Sequence, residues 1–248
     1  MKVLVCISHV PDTTSKINFK DDNTQFDPNG VQFVINPYDE FALTRAMWLK
    51  EKQGATVTVV TVGNNTTEPT LRKALAIGAD NAIRVNAEAT DGFAVAKQLA
   101  AVVKSGEFDV VLTGKESIDF NGGMVPGMLA TFLDFNFVNA CIGLEIEGTT
   151  ATAEREIDGG KEIIKAELPI VIAGQKGLVE EKDLRIPNMR GIMMARKKPL
   201  TVVEPTETSN ATASISFEKP SSKSAVKLVD ADNIDELISL LHNEAKVI

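Results

Sequence analysis

The segment GKESIDFNGGMVPGMLATFL, residues 114 to 133, has the clearest chemical meaning in this chain. An apolar run, FDVVLTG, ends on Gly114. Two adjacent glycines follow at Gly122 and Gly123, and a helix is expected to start near Val125-Pro126. Backbone N–H groups at such a helix start face the edge where the run ends, a geometry that binds phosphate. The spacing matches neither the P-loop nor the dinucleotide fingerprint, and the glycines could serve only a tight turn. Elsewhere, Cys6, His9 and Asp12 are of the types a nucleophile and its base require. Cys6, however, lies inside the apolar run KVLVCISHV, where a buried and inert thiol is the commoner outcome, so His9 is read as structural. Glu180-Glu181 sits in a charged turn with nothing to desolvate it. Two cysteines, Cys6 and Cys141, and two histidines are too few for a structural zinc site, so no metal is expected; unpaired cysteines fit a reducing cytoplasm.

These residues need a framework, and the chain alternates. KVLVCISHV reads as a buried strand stopped by Pro11-Asp12. A helix opens at Asn36-Pro37-Tyr38-Asp39, with proline in the first turn and Asp39 and Glu40 at the positive end, and stops at Gly54. ATVTVVTVG is a strand buried on both faces. Thr66 or Thr67 should cap EPTLRKALAIG, with Leu71, Ala74 and Leu75 inward. NAIRV, GFAVAKQLAAVVKSG and FDVVLTG then read as strand, helix and strand. The pattern predicts an α/β fold, a parallel sheet flanked by helices. Ligands in such sheets bind at the carboxyl ends of the strands, here Ser8 to Asp12, Val62-Gly63 and Gly114 to Gly127. From Asn139 to Gly174 turn signals at Gly148 and Asp158-Gly159-Gly160 predict an antiparallel hairpin excursion.

Composition excludes several classes. With 248 residues, 44% hydrophobic and 24% charged, the chain can build an ordinary core. A net charge of −8 argues against a general nucleic-acid binder, which needs clustered cations. The N-terminal apolar run is too short for a secretory signal, and no window approaches the roughly 20 apolar residues of a membrane span, so neither export nor membrane insertion is expected. One basic stretch stands out, KDLRIPNMRGIMMARKKPL, which mixes cations with Ile186, Met189, Ile192, Met193 and Met194. Thr206 to Ser224, rich in Ser, Thr, Ala and Pro, reads as a linker with little packing of its own. NIDELISLLHNEAKVI returns to helix, capped by Asp232 or Asn233, with an apolar stripe that must dock on its own domain or on a partner. The division expected is an α/β domain, 1–204, containing the basic loop at 183–199, and an extended arm with a helix, 205–248.

Together KVLVCISHVPD, NPYDEFALTRAMWLKE, TVVTVG, TLRKALAIGADNAIRV, DVVLTGKESID, EREIDGG and RIPNMRGIMMARKKPL resemble the β subunit of electron transfer flavoproteins, in order, from residue 1 to about 204. The resemblance implies an adenine nucleotide α-hydrolase-like fold and a non-enzymatic electron carrier. It implies a heterodimer with an α subunit that holds most of a shared FAD, AMP bound structurally in the β chain, and electrons passing from flavoprotein dehydrogenases such as acyl-CoA dehydrogenases to a quinone oxidoreductase. By position, AMP would meet Cys6, Asn36, Pro37, Tyr38, Asp39, Val62 and the loop Gly114, Lys115, Glu116, Ser117, Ile118, Asp119, Phe120, Asn121, Gly122, Gly123, Met124 and Val125. Tyr38 and Thr13 would lie near the flavin. The family's recognition loop falls on Ile186, Met189, Arg190, Met193, Arg196 and Lys197, with Met189 as the anchor. An apolar plug ringed by cations orients a partner and still releases it quickly.

The chain departs from the family in two places. Ser8-His9 stands where a Lys-Arg pair is usual, which alters the charge beside the flavin, and Gly123-Met124-Val125 replaces polar side chains ahead of the helix, leaving backbone N–H groups as donors. A bifurcating subgroup carries a second FAD in place of AMP and has Val-Gly-Pro near Val125-Pro126-Gly127, whereas EREIDGG resembles the other members. Outside the family, the rival classes are an ATP-binding or ATP-hydrolysing protein of related fold and an interaction module without ligand.

Overall fold

The computed structural model describes residues 1–222 and 225–248. The first strand, β1 (Lys2–Cys6), is apolar at every position after Lys2, and its alternate side chains feed two cores. Val3 and Val5 join the layer beneath α1 (Pro37–Gln53) and α2 (Glu68–Ile77); Leu4 and Cys6 join the layer beneath α3 (Gly92–Gly106) and α4 (Val125–Leu133). A strand covered on both faces must be apolar on both, which is why this sequence does not alternate.

Between β1 and α1 the chain forms short antiparallel pairs: β2 (His9–Pro11) with β5 (Phe33–Ile35), and β3 (Asn18–Lys20) with β4 (Gln25–Asp27). The run KVLVCISHV is therefore two strands that part after Cys6. In α1, Pro37 stands in the first turn with Asp39 and Glu40, and Gly54 ends the helix at φ +68°, donating its N–H to Lys50 O at 2.9 Å. β6 (Thr56–Val62) is buried after its first residue. Thr67 occupies the position before α2 but is not a side-chain cap. Its hydroxyl donates to Asn64 O, and Asn64 itself caps a preceding 3-10 turn by accepting from Thr66 N. Leu71, Ala74 and Leu75 are fully buried, as their spacing predicts; each leucine contributes roughly 1.5–3 kcal/mol of burial.

β7 (Asn81–Val85), α3 and β8 (Val110–Gly114) follow, with Asp91 capping α3 through Ala94 N. Beyond α4 come β9 (Asn136–Glu147), β10 (Thr150–Ile157), β11 (Gly160–Glu167) and β12 (Ile170–Gly174). The main sheet runs β11-β10-β9-β12-β8-β1-β6-β7-β13, the last being Leu200–Val203. From β9 to β13 every pairing is parallel, and only β10 and β11 are antiparallel. This is the mostly parallel, helix-flanked sheet the sequence predicts. It corrects two details. IVIAG, expected within the antiparallel excursion, is β12, wholly buried and parallel between β8 and β9. LTVV, assigned to no element, is the edge strand β13 on β7.

The basic stretch forms a short helix, α5 (Met189–Ala195), capped by Asn188. The segment read as a linker is pinned to the body. Gln98 pairs with both backbone groups of Thr206, Asp91 accepts from Ala211 N and Thr212 Oγ1, and Phe217 stacks on Phe19 with centroids 4.9 Å apart. Its last two residues, Lys223 and Ser224, lie outside the described residues. The final helix, α6 (Ile234–Ser239), is capped by Asn233 and continues as a π-helical turn to Ala245. None of its residues is buried, so its apolar stripe is not docked on the body. Among the described residues no helix is long and apolar enough to cross a membrane.

Candidate functional site at the carboxyl edge of the sheet

From β1 the chain winds outward to β6 and β7, then returns past β1 to β8. The winding reverses between β1 and β8, where a parallel sheet opens its crevice. The start of α1 closes over this point. Asn36 is fully buried; its side-chain amide donates to Glu116 O at 2.9 Å and accepts from Ile118 N at 3.2 Å, while its backbone N–H donates to Ser8 O. Asp39, also buried, accepts from Ser8 N at 2.7 Å and Gly114 N at 2.8 Å. One turn of helix thus ties the ends of β1 and β8 to the loop that follows β8. Burial pushes the Asp39 carboxyl up to about 7, against hydrogen bonds from Ser8, Asn36 and Gly114 that pull it down. Gly114 has no room for a side chain: an added Cβ would stand 2.5 Å from Asp39 Oδ1 and 2.6 Å from Tyr38 Cβ.

The loop itself is open. Lys115 to Ile118 are half-buried and Asp119 to Met124 exposed, with Asn121 and Gly123 at positive φ. Lys115 Nζ lies 5.3 Å from the Tyr38 ring centroid. Among the described residues no side chain caps α4, which leaves the N–H groups of Val125 and Gly127 to an anion; Pro126 between them has none. Backbone N–H groups at an open glycine loop and a helix start are the chemistry that an anion such as phosphate needs. Cys6 and Val62 line the same layer of core near this edge, while Pro37 is exposed and Val125 half-buried. Beside Val62, a cleft of about 400 Å3 opens between α3 and the pinned segment, bordered by Ala87, Gln98 and Thr206.

The nucleophile-and-base alternative has no geometry. Cys6 faces the layer of α3 and α4, and burial, with the Asp39 charge, raises its pKa far above the ordinary thiol range. His9 turns to the other side, stacking on Phe33 at 4.3 Å with Nδ1 2.8 Å from Thr70 Oγ1; burial holds its pKa below the usual value, against the charge of Asp119. Thr13 stands exposed in a turn closed by Asp12, which accepts from Thr14 N. Ile186, Met189, Arg190, Met193, Arg196 and Lys197 are all exposed on and around α5, which packs on α2. Sequence reasoning missed Ser8 as a donor and Gln98 and Asp91 as anchors of the pinned segment. Nothing in the spacing marks a buried glutamine 108 residues from its partner.

The chain is a mostly parallel, helix-flanked α/β sheet whose winding reverses between β1 and β8, and the sequence model of the electron transfer flavoprotein domain matches residues 24–208. The chain is 39% identical over 262 residues to the electron transfer flavoprotein subunit beta of Bacillus subtilis, covering all of both chains. It is 36% identical to that of Syntrophomonas wolfei over 252 residues, with all of this chain and 98% of the relative covered, and 33% identical to that of Homo sapiens over 257 residues, with 100% and 99% covered. The chain belongs to the electron transfer flavoprotein β subunit family. Membership implies electron transfer, a flavin, and an α subunit as its counterpart.

Proposed function

We propose that this chain is the β subunit of a heterodimeric carrier that takes electrons from flavoprotein dehydrogenases, such as acyl-CoA dehydrogenases, and passes them to a quinone oxidoreductase in the cytoplasm. FAD, held mainly by the α subunit, supplies the electron acceptance and release; the β chain performs no bond chemistry. AMP binds structurally in the β chain, with Asn36 and Asp39 fixing the loop after β8, Gly122 and Gly123 admitting the phosphate, and the α4 amides donating to it. Tyr38 and Thr13 face the flavin side. The body, 1–204, is the nucleotide domain; the arm, 205–248, carries α6, whose exposed stripe of Ile234, Leu237 and Ile238 reaches for the α subunit. Ile186, Met189 and Met193, from 68% to 82% exposed and set among Arg190, Arg196 and Lys197, form the donor-docking surface.

The observation that carries this reading is the pairing of an open glycine loop at the β1/β8 edge with an exposed methionine patch on α5 in a chain of this family. An exposed apolar surface set among cations suits a carrier that must dock and release its partner. Coexpression with the α subunit, followed by absorbance in the flavin bands and nucleotide analysis of an acid extract, tests it. One flavin per heterodimer, stoichiometric AMP and no ATP turnover are expected. ATP hydrolysis by the purified chain, or a second flavin in place of AMP, would overturn it.

A further inference from the structure

The short helix α5 cannot stand alone. Seven residues are far below the length at which a helix is stable in water, and Met189, Met193 and Met194 point outward, where they add no burial. What holds it is a reciprocal lock with α2. Arg72, on α2, donates twice from Nη1, to Ala195 O and Lys198 O, both at 2.8 Å, and so satisfies the carbonyls where α5 ends. Lys198, just past that end, reaches back to the carboxyl end of α2 and donates from Nζ to Leu75 O at 2.9 Å and Ala79 O at 2.6 Å. α2 thus supplies a cation at the end of α5, and the turn after α5 supplies one at the end of α2, where the last carbonyls and the helix dipole favour positive charge. Between these contacts the two backbones touch: a Cβ on Gly191 would lie 2.2 Å from Ala76 O.

We propose that Arg72 and Lys198 are positioning residues for donor recognition: their crossed caps fix α5 against α2 before docking, so that Met189 and Met193 are presented without an ordering cost. This rests on reading α5 as the docking element. Neither residue touches the donor in the proposal. Each acts through the helix it holds, and the effect belongs to encounter and affinity rather than to electron transfer itself, because a preordered loop spares the entropy a mobile one would lose on binding.

The test uses the flavin-loaded heterodimer with an acyl-CoA dehydrogenase that reduces the wild type. Lys198→Met keeps the aliphatic stem and removes both hydrogen bonds. Expected are faster hydrogen exchange at the amides of 191–195, a KM for the dehydrogenase raised about five- to tenfold, kcat within about twofold, unchanged flavin content, and partial return of both readouts in Lys198→Arg. If Lys198→Met does not assemble, Arg72→Gln, which leaves the α2 carboxyl end capped by Lys198, carries the same expectation. Accelerated exchange with an unchanged KM, or unchanged exchange, overturns the proposal. Met189→Ala separates the two ideas: it should raise KM while leaving exchange untouched. An unaltered KM in Met189→Ala overturns the docking reading, and the positioning role with it, even if exchange still reports the lock.

Discussion

Asp39 accepts the backbone N–H of Gly114 at 2.8 Å, joining the first turn of α1 to the last residue of β8 at the point where the sheet reverses its winding. The same carboxylate holds Ser8 N, so one buried acid sets the spacing of two strand ends. Its position follows from chemistry: strand ends leave amides without ladder partners, and a carboxylate satisfies two of them at once.

The first prediction concerns pH. Burial lifts the folded-state pKa of Asp39 from 3.8 to about 7, so between about pH 4 and pH 7 the folded chain holds a proton that the unfolded chain has released. Its contribution is most favourable below the unfolded pKa and is lost as pH rises through 7, with a slope of at most ~1.4 kcal/mol per pH unit. In Asp39→Asn that slope should vanish, with a separate loss of about 1–3 kcal/mol because an amide N–H now confronts a backbone N–H. Urea melts of both proteins from pH 4.5 to 7.5 measure the difference; parallel pH profiles would refute the assignment.

A second prediction is steric. Gly114→Ala forces a methyl group into the space held by Asp39 Oδ1 and Tyr38 Cβ. The carboxylate bridge has to open, at a cost of about 1–3 kcal/mol, and the Asn36–Glu116 contact should shift with it. Thermal melting and nucleotide content of the heterodimer should fall together; retained AMP at wild-type stability would show that the bridge is dispensable.

A third bears on the loop. Gly123 holds φ +59° with no atom nearer than 3.8 Å to an added Cβ, so the obstacle there is backbone conformation rather than crowding. Gly123→Val should cost about 1–2 kcal/mol locally and empty the proposed phosphate cradle, since a β-branched residue resists that conformation. Acid extracts of the heterodimer report it. Undiminished AMP would remove this loop from the site.

Much of this architecture could be read from the residues, and the failures have physical causes. Continuous apolar runs such as TVTVV and VVLTG announce strands buried on both faces, and Asn36-Pro37 announces a helix start. IVIAG carries the same signal, yet it lay within a series of turns and alternating strands that suggested a hairpin, and a hairpin neighbour cannot be told from a parallel one without the crossover. LTVV, a run of only four residues directly after Pro199, is too short to show a period; only the edge of β7 makes it a strand. At the candidate site the glycine loop was visible because phosphate chemistry has a local spacing. The Ser8–Asp39–Gly114 bridge was not, since it links residues 31 and 75 positions apart. The crossed caps of Arg72 and Lys198 are hidden for the same reason, as their residues looked like ordinary surface cations.

The last prediction addresses the segment that leaves the body. Gln98, 3% exposed, donates from Nε2 to Thr206 O at 2.7 Å and accepts Thr206 N at Oε1 at 2.8 Å, imitating one rung of a β-ladder. Asp91 repeats the device five and six residues on, where it takes Ala211 N and Thr212 Oγ1 while capping α3. Loss of the first clamp leaves two backbone groups unpaired beside an apolar wall, so Gln98→Leu should release 205–210 while β13, held by β7, stays in place. Release of a strap by about 1–3 kcal/mol raises its open population about 5- to 150-fold, and limited proteolysis within 205–212 should accelerate in proportion. The α3 cap and the β1/β8 edge are untouched by this change, so nucleotide content should not move. Cleavage at the wild-type rate would mean that Asp91 and the Phe19–Phe217 stack suffice to hold the strap, and that the glutamine is only a buried polar side chain that found a partner.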